Sequence, residues 1–582
     1  VTIPVGAAVR VTTRRAAPAL RALRAALAAL LLLLSVAEPA WARSHPVRAR
    51  HGLVVSQNFI ASQVGMDVLV DGGNAIDAAV ATAFALAVVH PEAGNIGGGG
   101  FLLYRGAGGE SAAYDFRETA PTAASATMFL KDGKYDRDIH HKGPRSVGVP
   151  GTVAGLHMAW KEKGLLPWRR LLEPAISLAK DGFLVSDGLA RSLKAELPEL
   201  KKHPASLKQF TREGQPYEIG DVLKQPDLAK TLERIAAKGR AGFYEGETAR
   251  LIEREMKAGG GLITLGDLKA YEARRRTPVR GTYRGYEVLS MPPVSSGGTA
   301  LIQMLNILEG YDLAASGFAS ARSVHLIAEA MRRAYADRAR HLGDPEFNPD
   351  MPIQRLISKE YAETLRKTIR DDAASVSSPE SFDWPVESAE TTHLSVVDPE
   401  RNTVSLTYTL EGGYGSGITV TGGGFLLNNE MGDFNAGPGL TNPEGLIGTP
   451  PNLAAPRKRM LSSMTPTIVS KDGTLFVVVG TPGGRTIINT VLLTLLNVID
   501  FGMNIQDAVD APRFHHQWLP DRINYEKWGL SPDTLAALRE MGHSVREVPT
   551  QGVAQGILYN VKEGLLDGAA DRRGADSAAV GR

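Results

Sequence analysis

Thr391-Thr392-His393 opens an apolar run that ends at Asp398. The sequence contains no cysteine, which excludes disulfides, thiolate metal sites and a thiol nucleophile. Any nucleophile must therefore be serine, threonine, lysine or a carboxylate. A cut between Glu390 and Thr391 would place a free α-amine beside the Thr391 hydroxyl. Such an amine titrates at a pKa of ~7.7–8, so a useful fraction is neutral near pH 7 and can take the hydroxyl proton directly or through a water. One residue then supplies both nucleophile and base. The plainer reading stays open here, because β-branched threonines suit strands whatever their chemistry.

The elements that would position such a group can be read around it. Residues 371–388 have no apolar period and several Ser, Asp and Pro, and read as an exposed linker. After residue 390 the texture turns to β. Thr391–Asp398 is followed by a turn at 399–402 and by Thr403–Leu410, which alternates Val404, Leu406, Tyr408 and Leu410 with hydroxyl residues, the period of a half-buried strand. If Asp398 faces Thr403, Thr392 faces Thr409, within about one residue for a possible bulge. Thr409 is then placed to orient the Thr391 hydroxyl. The β texture continues through 422–429 and 462–484, the latter with a turn at Lys471-Asp472-Gly473, and leads into a helix over 485–502. Upstream, Gly73-Asn74-Ala75-Ile76-Asp77 starts a helix that is apolar on nearly every face and so belongs inside a large core. Four glycines, Gly97–Gly100, enter a strand at Phe101–Tyr104. Further helices are expected at 151–163, 299–309 and 320–341, the last with arginines on its other faces. Strands followed by helices on a shared sheet imply a layered α/β architecture.

The chain of 582 residues is 43% hydrophobic and 22% charged, in the range of soluble globular proteins. Five arginines precede the apolar run Ala25–Val36, and Ala40-Trp41-Ala42 supplies a small-x-small site, the three parts of a secretory signal peptide. The run is shorter than the ~20 residues of a membrane span. The expectation is cleavage near Ala42 and a periplasmic or secreted protein with no stable span. The net charge is +2, too small to point to nucleic acid, and residues 1–42 hold five arginines and one acid, so the remainder is near −2. Neither Gly-rich stretch, 97–100 nor 480–484, continues as a phosphate-binding P-loop. His140-His141 and His515-His516, taken as strand residues pointing to opposite sides, lack the spacing of zinc ligands. No metal and no cofactor are expected.

The motifs "TTHLSVVD", "LLNNEMGDF", "RKRMLSSMTPTIV", "GTPGG" and "DAPRFHHQWLP", preceded by "GGNAIDAAVA", "GNIGGGGF", "DFRETAP" and "MPPVSSGG", together resemble the γ-glutamyltranspeptidase family, in order from about His51 to the C-terminus. The resemblance implies the four-layer αββα sandwich of N-terminal-nucleophile hydrolases. It implies a precursor that cuts itself at Glu390–Thr391 into a large subunit, 43–390, and a small subunit, 391–582, which form one heterodimer. The activity implied is transfer of a γ-glutamyl group from glutathione or another γ-glutamyl donor, through an ester on Thr391, to water, an amino acid or a dipeptide.

The site residues carried over are Arg117, with Ser462 and Ser463, for the donor α-carboxylate. Asp433 with Glu430 would accept from the α-ammonium, and the N–H groups of Gly483 and Gly484 would form the oxyanion hole. Glu411 stands where many members have Asn. In 437–456, a candidate lid, position 444 is Glu rather than an aromatic. The competing readings are an acylase of the same scaffold acting on glutaryl amides, and an unprocessed periplasmic binding protein.

Overall fold

The computed structural model describes residues 44–377, 391–440 and 448–582. The expected signal peptide, Glu390 with most of the linker, and Glu444 lie outside the described residues. Two seven-stranded sheets, each antiparallel at every pairing, form the centre of the molecule. With strands numbered in chain order, the first sheet runs Arg274–Arg276 (β5), Ser111–Phe116 (β4), Gly99–Arg105 (β3), Thr403–Thr409 (β9), Thr392–Val397 (β8), Leu53–Ser56 (β2) and Ala578–Gly581 (β14). The second runs Val47–Ala49 (β1), Leu565–Ala570 (β13), Gln555–Asn560 (β12), Thr474–Gly480 (β11), Thr467–Lys471 (β10), Tyr286–Ser290 (β7) and Val279–Tyr283 (β6).

Helices Phe59–Val70 (α1), Ala75–Val89 (α2) and Thr152–Lys163 (α3) cover the first sheet. Gly297–Leu308 (α4) and Thr486–Ile499 (α6) cover the second, with Ala321–His341 (α5) packed on α4. The expected αββα layering is present, with a separate apolar cluster in each interlayer space. Every residue of α2 is buried, as its all-round apolar sequence requires, and Asn74 with Asp77 closes a capping box at its start.

Strands β8 and β9 form the expected hairpin. Val397 pairs with Thr403 and Thr392 with Tyr408, one residue away from the Asp398–Thr403 register. Asp398 instead closes the turn: its carboxylate accepts from Asn402 N at 2.9 Å and from Ala75 N, at the start of α2, at 3.0 Å. Within that one-residue margin Thr409 still ends β9 opposite the approach to β8. The expectation of a half-buried β9 is corrected, since all seven residues are buried. Its apolar face meets the helices, and its hydroxyl face meets the second sheet, where Ser405 Oγ donates to Val479 O at 3.2 Å and accepts from Thr467 N at 3.2 Å. A stripe of hydroxyls thus lies between two sheets with its hydrogen bonds satisfied.

Three other expectations change. Residues 422–429 form no strand, only a single bridge from Leu426 to Thr419, because Gly422 (φ +76°) and Gly424 (φ +72°) turn the chain out of the extended region. His140 and His141 lie on a short helix, Arg137–His141, not on a strand. Arg332 and Arg338 of α5 are buried rather than solvated.

His393, His516 and His543 are buried, and desolvation is the first cause lowering each, to about 3, about 4 and about 4 from 6.5. Because these folded-state values lie below the unfolded one, the stability is fully present above pH 6.5 and is lost as pH falls toward 4. The thermal midpoint is expected to drop by roughly 5 °C between pH 7 and pH 5, and His516→Gln should make the decline shallower. A midpoint independent of pH over that range would contradict the burial of neutral imidazoles.

Candidate active site

Thr391 is buried immediately ahead of β8, and its Oγ1 donates to Thr409 Oγ1 at 3.3 Å. Thr409 Oγ1 also accepts from Glu411 N at 2.8 Å, which fixes the second hydroxyl as an acceptor aimed at the first. The Thr409 carbonyl is held in turn by Asn95 Nδ2 at 2.9 Å, and Asn95 by Thr152 Oγ1 at 2.8 Å. A side chain at Gly98 would strike the Thr409 carbonyl. The Gly97–Gly100 run therefore lets β3 approach this end of β9 closely. His393 extends from the same face of β8 as Thr391, hydrogen-bonded to Thr407 Oγ1 at 2.7 Å and to Ser395 Oγ at 3.1 Å. Its ring fills the space over Gly480, the last residue of β11, which leads into Thr481-Pro482-Gly483-Gly484. The strand that follows Thr391 is thereby seated against the base of the glycine turn.

A small cavity of about 20 Å³ gathers Arg117, Thr391, Thr409, Glu411, Glu430, Asp433, Ser462, Ser463 and Gly484. Gly483 is the one residue of the expected inner set that does not line it. Gly483 (φ +132°) and Gly484 (φ +54°) both adopt conformations that favour glycine, and neither N–H has an acceptor among the described residues. Of these two main-chain donors, that of Gly484 belongs to the cavity holding the Thr391 hydroxyl, where a donor suits an oxygen that acquires negative charge.

The charges in this cavity are unbalanced. Arg117 is fully buried and pairs with Glu430 and Asp433 at once, with Glu118 Oε2 at 3.6 Å. The residues expected at the two ends of a zwitterion thus face each other directly. Burial alone would lower the Arg117 pKa, but Glu430, then Asp433 and Glu118, raise it above its ordinary range, so it stays charged. One guanidinium cannot compensate every carboxylate around it. Burial raises Glu118 to about 8 and holds Glu430 well above the usual carboxylate range, in both cases against the attraction of Arg117. Glu411 adds a further carboxylate, with His141 Nδ1 at 3.0 Å from its Oε1. Its φ of +78° is a left-handed conformation more easily adopted by Asn than by Glu, so Glu at this position carries a backbone cost of about 1 kcal/mol.

The two serines are held from behind. Arg338 NH2 donates to Ser463 Oγ at 2.9 Å, and Arg338 Nε donates to Ser296 Oγ at 2.6 Å. Ser296 donates through N and Oγ to Ser462 O at 2.8 and 2.6 Å, and Ser295 Oγ donates to Met464 O at 2.6 Å. The "MPPVSSGG" turn is therefore a cradle for the serine loop.

Among the described residues, one group has the proximity of a metal site: His325, Glu329 and His543, with ligand atoms within 4.8 Å of one another. Those atoms are already engaged. His325 bonds Arg370 O and His543 Nε2, each at 2.7 Å, and Glu329 pairs with Arg332 and Arg333 while accepting from Ser375. Two adjacent guanidiniums and a spent donor set do not fit a cation. The group instead anchors residues 370–377, where Ser377 N also donates to Asp521 Oδ2 at 2.7 Å. The start of the linker, expected to be exposed throughout, is tied to the body of the protein.

The sequence assigns no role at the site to His393 or Arg338, and presents His141 only as half of an adjacent pair without zinc-ligand spacing. Period-two alternation from Thr391 puts His393 on the same face as Thr391, so its signal was present. Arg338 looks like any other arginine of an amphipathic helix, and only tertiary packing brings it to Ser463. His141 reaches Glu411 across 270 residues.

A family model described as gamma-glutamyltranspeptidase matches residues 61–581. The glutathione hydrolase proenzyme of Escherichia coli (strain K12) is 49% identical over 542 residues, covering 92% of this chain and 93% of that protein. Among solved structures, the cephalosporin acylase from Bacillus halodurans aligns with a TM-score of 0.82 at 28% identity, covering 94% of this chain and 98% of its own. The Helicobacter pylori gamma-glutamyltranspeptidase aligns with a TM-score of 0.54 at 47% identity, over 55% of this chain and 91% of that one. With residues of five of the ordered motifs lining one cavity and a match spanning nearly all of the described fold, the chain belongs to the γ-glutamyltranspeptidase family.

Proposed function

We propose that this protein is a self-processing γ-glutamyl hydrolase and transferase acting on glutathione and related γ-glutamyl amides, with Thr391 as nucleophile. The observation that carries the reading is the surplus of buried carboxylate around Arg117, Glu430, Asp433 and Glu411. A donor bearing an α-carboxylate and an α-ammonium resolves it by exchanging partners. Its carboxylate takes the guanidinium, helped by Ser462 and Ser463, and its ammonium takes Asp433, Glu430 and Glu411. The γ-carbonyl then lies toward Thr391 and Gly484.

Thr391 Oγ forms a bond to the γ-carbon and passes its proton to the residue's own α-amine, with Thr409 orienting the oxygen. The oxyanion is held by Gly483 and Gly484 N–H, and the amine of the donor leaves with a proton. Water or a second amine attacks the resulting ester and restores the threonine. The α-amine comes from cleavage at Glu390–Thr391. Both sheets draw strands from each side of that bond, so the products, 43–390 and 391–582, remain interlocked as one heterodimer. The N-terminal segment 1–42 would direct export and be removed. None of the described helices is long and apolar enough to cross a membrane.

A second reading has an observation in its favour, since the fold also aligns with a cephalosporin acylase. A glutaryl donor would supply a carboxylate for Arg117 and no cation for Asp433, Glu430 and Glu411, which is why the γ-glutamyl reading is preferred. Family membership sets aside an unprocessed binding protein.

Thr391→Ala is expected to remain a single chain and to release glutamate from a γ-glutamyl anilide at least roughly 10³-fold more slowly, with Thr391→Ser partly active. A Thr391→Ala protein that matures and turns over normally would rule out this nucleophile. Asp433→Ala should lower kcat/KM for a γ-glutamyl amide by roughly 10- to 100-fold while changing that for a glutaryl amide little. Equal losses on both substrates, or a wild-type preference for the glutaryl amide, would favour the acylase.

A further inference from the structure

Glu411, standing where many family members have Asn, follows the hairpin in a left-handed conformation and turns its carboxylate toward an imidazole. His141 Nδ1 lies 3.0 Å from Glu411 Oε1, with the two side chains only 10% and 3% exposed. An ionised carboxylate only accepts, so Nδ1 carries the hydrogen. The surroundings fix this contact. Gly412 N donates to Asn429 Oδ1 at 3.0 Å, and Asn429 Nδ2 donates to His141 O at 3.0 Å. Gly432 packs so closely that a side chain there would strike both His141 and Glu411. His140, whose ring centre is 4.3 Å from that of His141, is bonded to Met431 O and to Tyr135 Oη, each at 3.1 Å.

The pair joins two compartments. Glu411 lines the nucleophile cavity with Glu430 and Asp433, and its N–H donates to the Thr409 hydroxyl that receives Thr391. His141 lines a separate pocket of about 470 Å³ that meets solvent, so the ring can exchange a proton without water entering the cavity. The other charges around the ring are mixed. Beside it in sequence are Arg137 and Lys142, the latter paired with Asp138 at 3.5 Å. Across the pocket Lys202 is paired with Glu199 at 2.7 Å, next to Glu196 and His203. On the cavity side Glu430 and Asp433 both pair with Arg117. His140 stays neutral, because burial first, and then His141, hold it well below the ordinary imidazole range.

Resting on the γ-glutamyl reading of the cavity, we infer that His141 is a positioning residue for donor selection, its protonation deciding what Glu411 offers to the donor's α-ammonium. Neutral, the imidazole donates one hydrogen bond, which aims the carboxylate and leaves its charge for the substrate. Protonated, it takes up that charge itself and sets a cation beside the arriving ammonium. An amide at position 411 would show no such dependence, since it holds no charge for the imidazolium to take. A free imidazole titrates near ~6.5, so preference for a γ-glutamyl over a glutaryl head group should rise with pH through that region and fall as pH drops below it. A glutaryl group brings no ammonium and gains nothing from a freed Glu411.

L-Glutamate and glutarate, compared as competitive inhibitors of γ-glutamyl anilide turnover between pH 8 and pH 6, provide the test. Both keep their carboxylates largely ionised there, and protonation of the Thr391 amine bears on both, so the ratio of their inhibition constants reads the ammonium contacts. The wild-type preference for glutamate should fall over this interval roughly threefold more than that of His141→Gln, whose amide still donates to Glu411 but cannot become charged. Titration of Glu430 and Glu118 is common to both proteins and cancels in the comparison. Glu411→Asn should lose the same part of the pH dependence, and adding His141→Gln to it should change nothing further; a merely structural role for His141 would show in both backgrounds. Should His141→Gln fail to mature, His141→Asn and the Glu411→Asn profile are read the same way. A wild-type preference that falls no more than that of these variants, or an effect of His141→Gln equal in the two backgrounds, overturns the inference. Wild-type protein that releases no glutamate from the anilide would overturn the function itself.

Discussion

Everything in this site depends on holding one hydroxyl in a fixed place between two sheets. Thr391 precedes a buried strand, and its oxygen is fixed by Thr409, which is fixed by Glu411 N from one side and through Asn95 from the other. No side chain of ordinary general-base type is needed in this account, because the amine created by the cut is part of the same residue. The layers follow from that requirement. A chain start carrying a reactive group must be shielded from bulk water yet leave its oxygen accessible, and the edge of an inter-sheet space meets both conditions. The helices outside the sheets pack the outer faces, and His393 seats the strand following Thr391 against the turn that leads to Gly483 and Gly484.

The proposed specificity has a different physical source, the crowding of buried carboxyl groups around one guanidinium. Arg117 attracts Glu430 and Asp433, while Glu118 and Glu411 crowd the same region, so more carboxyl groups gather here than one guanidinium can hold ionised, and burial favours the protonated forms of Glu118 and Glu430. A zwitterionic head group rearranges these pairs at little net cost, whereas a simple carboxylate leaves the acids facing one another. The same scaffold can therefore serve γ-glutamyl transfer and acylase chemistry, the distinction lying in a few charges around one guanidinium.

Much of this was legible in the sequence, and the reasons differ by level. Period-two alternation located the hairpin, and its arithmetic brought Thr409 to Thr391 within one residue; the offset arose because Asp398 caps the turn instead of pairing. The apolar α2 could be read as interior. What alternation could not show was that the polar face of β9 meets a second sheet rather than water, since hydroxyls satisfied by a neighbouring backbone look the same in sequence as hydroxyls satisfied by solvent. Glu411, Asp433 and the serines came from motif resemblance, and nothing in their local spacing marks them. Arg338 and His141 remained hidden because each acts across a contact made only by folding. The buried arginines of α5 make the same point, since an arginine row reads as solvated until its partners, Ser296, Ser463, Glu329 and Asp521, are brought to it.

The central claim is that a newly exposed threonine amine and its own hydroxyl carry the chemistry. The most direct measurement is intact mass of the active protein, with N-terminal sequencing of the smaller chain and peptide mapping after reaction with an electrophilic γ-glutamyl analogue. The account predicts two chains, the smaller beginning Thr391-Thr392-His393 with the adduct on that first residue. A fully active single chain with the 390–391 peptide intact, or an adduct on any other side chain, would contradict it.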